Sequence, residues 1–141
     1  MGFENVLEMM LSMLNDYDIT GYTEEDLYLE VGIRVNIVLA KAMIEDLLFD
    51  SEFLEFSRDL TLYEANILAH GLIMQWLYPK VHNTEVLEAQ LTNKEFTAFS
   101  NANRINAMIQ LQRNAQEEFY YLVNNYDFYN QKLSWQEESD N

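Results

Sequence analysis

The residues from Leu60 to Pro79, LTLYEANILAHGLIMQWLYP, constrain this chain more than any other stretch. Thr61 followed by Glu64 makes a capping-box pattern, in which each side chain reaches the other's backbone amide, so a helix is expected to start at Thr61. Pro79 has no amide hydrogen to give an interior turn and sets the expected stop near Tyr78. Between those marks Leu62, Ala65, Ile67, Leu68, Ala69, Leu72, Ile73, Met74, Trp76 and Leu77 cover most of the circumference. Asn66 and His70 remain on one side, Glu64 and Gln75 on the other. A helix apolar nearly all round has to be buried on several sides. Its unbroken apolar runs fall far short of the roughly 18–20 residues that a bilayer requires. Other helices must therefore wrap it. The expected fold is an all-α, single-domain bundle with a central buried helix at about 61–78 and a long C-terminal helix at about 101–126.

The wrapping elements follow from apolar spacing and caps. Phe3, Val6, Leu7, Met10, Leu11 and Leu14 recur at helical intervals and predict a short amphipathic helix, Phe3 to Leu14. Thr23, followed by Glu24, Glu25 and Asp26, starts a second helix. This one is expected to run through Leu27, Val31, Ile33, Val35, Val38, Leu39, Ala42, Met43, Leu47 and Leu48 to about Asp50. Gly32 inside it reads as close packing against a neighbour, since glycine costs a helix interior about 1 kcal/mol against alanine. Residues 51–59 are expected to form a short helical turn, with Phe53, Leu54 and Phe56 tucked under the centre. After Pro79, His82, Asn83 and Thr84 open an expected outer helix from Glu85 to Leu91. Phe96 and Phe99 then anchor a loop. Ser100 or Asn101 caps the last helix, which presents Ile105, Met108, Ile109, Leu111, Ala115, Phe119, Leu122, Val123 and Tyr126 on one face. Gln110, Gln112, Arg113, Gln116, Glu117 and Glu118 fill much of the other. Residues 1–129 make the expected helical domain, and 130–141 a mobile acidic tail.

Charge removes whole classes of function. With 8 basic against 24 acidic residues the formal net charge is −16, which repels phosphates and anionic lipid. There is no cysteine, and the start MGFENVLEMM lacks the basic segment of a secretory leader, so synthesis in the cytoplasm is expected. Asp16, Asp18, Thr20, Gly21 and Glu24 match positions of a calcium-binding loop, but its twelfth position is Leu27 and lacks the bidentate carboxylate. An acidic turn feeding the cap at Thr23 is the simpler account. His70 and His82 are the only histidines, too few for a zinc site without distant carboxylates. His70 reads as a hydrogen-bonded core residue with Asn66, one turn earlier, as partner. Glu64 and the Glu117–Glu118 pair are the carboxylates nearest apolar faces, and with no placed nucleophile or metal they suggest no reaction. No catalytic, cofactor-binding or metal-binding residue is expected, and a non-enzymatic protein follows.

What remains is an excess of aromatics near the end of the last helix. Phe119, Tyr120, Tyr121, Tyr126, Phe128 and Tyr129 are too dense to be used by one face, and Trp135 follows in the tail. A partner-binding surface competes evenly here with ordinary core. The segment Tyr126 to Asn141 is expected to mediate assembly and to be dispensable for folding.

The run Ile67-Leu68-Ala69-His70-Gly71-Leu72-Ile73 with Trp76-Leu77 and Pro79, then Phe96-Thr97-Ala98-Phe99-Ser100-Asn101-Ala102-Asn103, resembles a pattern in small helical proteins of tailed-phage structural gene clusters. The nearest characterised group it resembles is the head–tail connector adaptor of the phage neck, over residues 60–126 at most. The chain departs from the shorter adaptors in its extra amino-terminal helix and its calcium-loop-like turn. The resemblance implies a virion protein made in the bacterial host cytoplasm, a homo-oligomeric ring beneath the portal, and the portal and other neck or tail subunits as partners. It implies neither membrane nor sequence-specific nucleic-acid binding, although DNA would pass through the ring. An acidic wall suits that passage, because no lysine or arginine contacts would hold the polyanion. A helical regulatory or chaperone-like protein using the same aromatics, and a small metal-using enzyme, are the competing readings.

Overall fold

The computed structural model describes residues 1–14, 19, 21–90 and 102–128, with only the backbone described at 84–90 and 102–104. Four helices dominate: α1 (Phe3–Met13), α2 (Glu24–Ala42), α3 (Leu62–Gln90) and α4 (Ala102–Asn124). A two-stranded antiparallel hairpin, β1 (Phe49–Asp50) and β2 (Glu55–Phe56), lies between α2 and α3. The domain is all-α apart from that hairpin. The tail from 130 onward, together with Phe96, Phe99, Tyr129 and Trp135, lies outside the described residues.

α3 is the centre, packed by α1, α2 and, most extensively, α4. Ile67, Leu68, Ala69, Leu72, Ile73 and Leu77 are wholly buried, as a helix without a polar face demands. The cap at its start is reciprocal: Thr61 Oγ1 accepts from the Glu64 amide at 3.1 Å, and Glu64 Oε1 from the Thr61 amide at 2.9 Å. Leu62 and Tyr78, at the two ends of the expected helix, are exposed. Gly71 is the crossing point of three helices. A Cβ there would collide with Val38 of α2 and come within 2.8 Å of the Phe119 ring of α4.

The stop expected at Pro79 is overturned. α3 runs through the proline to Gln90, so the outer helix expected at Glu85 to Leu91 is the continuation of α3. Proline forfeits one hydrogen bond and crowds the carbonyl four residues back, a cost near 3 kcal/mol in an interior. Burial beyond the proline and side-chain contacts one turn apart within α3 offset it. Val81 beyond the proline is buried, Lys80 lies over the Trp76 ring at 5.3 Å, and His82 stacks on Tyr78 at 6.2 Å. Pro79 itself faces solvent, where its ring has room.

α2 starts as its cap predicts, with Thr23 Oγ1 accepting from the Asp26 amide at 3.1 Å. It ends earlier than expected, at Ala42 instead of near Asp50. Met43 adopts a left-handed conformation, φ 57°, with its amide bonded to the Leu39 carbonyl at 3.0 Å. The chain then reverses, which lets Ile44, Leu47 and Phe49 enter the core. The helical turn expected over 51–59 is instead the hairpin and its exit. Asp50 Oδ1 accepts from the amides of Glu52 (2.9 Å) and Phe53 (3.2 Å), and Leu54 takes φ 55° to close the loop. Phe53, expected beneath the centre, is exposed, while Phe56 is half-buried and packs on Phe49 at 4.7 Å. Gly32 does make the close approach predicted for it: a Cβ would sit 2.6 Å from Leu54 Cδ2. Ile33 faces out with Leu29 and Ile37.

α1 buries Phe3, Val6, Leu7 and Met10 against α3. Met108, Leu111, Ala115, Phe119, Leu122 and Val123 along α4, and Tyr126 just beyond it, belong to the core or pack on it. Gln112, expected on the outer face, is buried and donates to Gln116 Oε1 at 3.2 Å.

Candidate functional site

Polar chemistry concentrates where α3 begins. Glu64 is 1% exposed, and both of its carboxylate oxygens are hydrogen-bonded. Arg58 binds it in a two-pronged fork, Nη1 to Oε1 at 2.8 Å and Nη2 to Oε2 at 2.6 Å, and Tyr126 donates its hydroxyl to Oε2 at 2.6 Å. The other side of the guanidinium meets Asp46, with both bonds at 3.2 Å. Burial works to raise the Glu64 carboxyl, but the Arg58 fork, the Thr61 amide and the Tyr126 hydroxyl outweigh it and hold it at about 2. The Glu64 and Asp46 carboxylates in turn push Arg58 above its usual range, against the burial that works to lower it. A carboxylate clamped in its charged form by three donors has no free lone pair aimed at a substrate. This cluster is a tie joining the loop after β2, the start of α3 and the end of α4.

A second place is the cleft around His70, about 380 Å³, lined by Met13, Ile73, Leu111, Asn114, Ala115 and Glu118. His70 Nδ1 lies 2.8 Å from the backbone carbonyl of Asn66, so Asn66 is its partner as the sequence predicts, through the main chain. A carbonyl only accepts, so Nδ1 carries the proton in the neutral ring and Nε2 is the acceptor. No nucleophile shares the cleft. Among the described residues no group of three or more histidine, aspartate or glutamate side chains is spaced to hold a metal. Of the calcium-like loop, Asp16, Asp18 and Thr20 lie outside the described residues, and Glu24 opens α2.

The third place is the aromatic end of α4, which the structure divides. Phe119 is wholly buried against Gly71, so the expectation that it binds a partner is corrected: it is a core residue. Tyr126 is half-buried, tied to Glu64 and 6.0 Å from the Tyr63 ring. The segment 126–141 is therefore not wholly dispensable for folding, because its first residue serves the core. Tyr120, Tyr121 and Phe128 stay outside, at 42%, 63% and 67% exposure. Tyr120 also borders a cleft of about 400 Å³ with Lys41, Met74, Tyr78, Gln112 and Gln116, where α2, α3 and α4 meet. Three of the aromatics singled out from the sequence are thus left uncovered by the fold.

Compared with known families, curated proteins and solved structures, the chain matches none. No helix among the described residues is long and apolar enough to cross a membrane. Arg58 was invisible to sequence reasoning, because no spacing rule links an arginine to a glutamate six residues on across a loop. Only the capping-box role of Glu64 was legible.

Proposed function

We propose that this protein is a non-catalytic assembly subunit, and that the assembly is a ring of the head–tail connector type in a phage neck. The observation that carries the reading is the set of exposed aromatics at the end of α4 and just beyond it, Tyr120, Tyr121 and Phe128, on a chain of net charge −16. Large aromatics with a polar tip lose little rotamer freedom on docking and supply much of the energy in protein interfaces. A closed ring requires each subunit to offer one surface to a different surface of the next, and an aromatic patch beside a cleft supplies both halves of such a contact. Repeated around a ring, the acidic surplus makes a wall along which DNA slides without counterion-releasing contacts. The resemblance of residues 60–126 to connector adaptors supports the same reading. A helical regulator binding another protein through these aromatics is the alternative.

Negative-stain electron microscopy and sedimentation of the purified chain test the proposal. Rings of uniform diameter are expected, lost in Tyr121→Ala/Phe128→Ala while helical circular dichroism is unchanged. A chain that remains monomeric or dimeric at every concentration overturns the ring.

A further inference from the structure

The outward face of α2 is not explained by that reading. Leu29, Ile33 and Ile37 recur every four residues along it, 56%, 58% and 47% exposed, between Glu25 and Lys41 on the same row. Residues four apart form a single ridge on a helix, the kind that packs into the matching groove of a second helix. The hairpin widens the apolar area, since Leu54 seats on Gly32, Asn36 donates to the Phe49 carbonyl at 3.4 Å, and Leu48 and Phe53 are exposed beside them. The ends of the ridge carry opposite charge. Glu24, Glu25 and Asp26 fill the first turn of α2, and Lys41 stands in its last. Lys41 is exposed and has no ion pair among the described residues.

We propose that this face binds a second copy of the same chain, with the two α2 helices antiparallel about a two-fold axis near Ile33. In that register Ile33 meets its own copy, Leu29 meets Ile37, and Glu25 lies opposite Lys41, because each pair is equally distant from the axis. The two helix dipoles oppose each other, and each acidic first turn reaches the basic last turn of its neighbour. A two-fold contact needs one surface complementary to itself, and an apolar ridge with an acidic and a basic end meets that condition in the antiparallel sense alone. The contact uses neither Tyr121 nor Phe128, so alanine at those two positions separates it from the ring, while Lys41 borders the cleft beside Tyr120 as well.

Sedimentation equilibrium over a concentration series tests it, with Tyr121→Ala/Phe128→Ala as a background in which any ring is removed. The expected result is a dimer. Ile33→Glu, which sets two carboxylates face to face on the axis, should weaken it about 100-fold or more without altering the helical spectrum. Lys41→Glu should weaken it less, and Glu25→Lys/Lys41→Glu together should restore it, since the swap rebuilds both pairs. A monomer in the background protein at about 100 µM, a dimer indifferent to Ile33→Glu, or a charge swap that fails to rescue overturns the antiparallel dimer.

Discussion

α3 and α2 are both long helices rich in branched apolar side chains, and they meet opposite fates. α3 hides Ile67, Leu68, Leu72, Ile73 and Leu77 completely, whereas α2 hides Val31, Val35 and Val38 and leaves Leu29, Ile33 and Ile37 in contact with solvent. The difference is the number of neighbours. α3 is flanked by α1, α2 and α4, while α2 packs chiefly on α3, with the hairpin along one flank and α1 reaching it at Tyr28. Apolar content tells how much surface a helix would gain by burying; the count of partners decides how much it does bury.

The sharpest way to break this contrast is at the shared centre. Phe119→Ala empties a fully buried ring site between α3 and α4 and should cost about 3–5 kcal/mol by urea unfolding. A loss under about 1 kcal/mol would mean that α4 is not part of the core. Next in size is the polar tie. Glu64→Gln leaves the Arg58 fork without its buried counter-charge and should cost on the order of 3 kcal/mol near neutral pH. Because the Glu64 carboxyl is held at about 2, below its ordinary 4.5, its contribution is complete above pH 4.5 and disappears as pH falls towards 2. Stability of the wild type should therefore decline faster than that of Glu64→Gln between those values, and parallel acid profiles would refute the tie.

The two glycines give a finer comparison. Gly71→Ala, boxed by Val38 and the Phe119 ring, should destabilise by about 1–3 kcal/mol through overpacking. Gly32→Ala meets only the tip of the Leu54 side chain, which can turn aside, while alanine gains about 1 kcal/mol of helix propensity. Its net change in melting should be near zero. Equal effects at the two sites would mean that α2 and α3 are equally crowded. The smallest effect is expected on the outer ridge: Leu29→Ala, measured at low micromolar concentration to suppress association, should stay within about 0.5 kcal/mol.

Several local decisions were legible because their physics is local. The caps at Thr23 and Thr61 need only neighbours within one turn, and both form as read. The start of the last helix, the amphipathic run of α1 and the all-round apolar face of α3 follow from spacing alone. Gly32 signalled a close approach without naming Leu54. The aromatic cluster signalled a surplus without saying which rings were surplus: Phe119 lies inside and Tyr121 outside, two residues apart, because helix rotation relative to α3 sorts them.

The sequence by itself determined that the chain is helical, that α3 is its centre, and that acidic charge covers it, since each depends on composition or on contacts a few residues apart. Tertiary structure alone decided that α3 passes through Pro79, that α2 stops at Ala42 to release a hairpin, and that Arg58 meets Glu64. Each of these trades a local cost for contacts made far along the chain. The lost proline hydrogen bond is offset by the burial of Val81 in the packed domain. The left-handed Met43 and Leu54 are held by Ile44, Leu47 and Phe49 in the core, and the buried carboxylate is held by an arginine across a loop and by Tyr126, 62 residues on. Local propensity is blind to such partners, because their proximity exists only once the helices have packed.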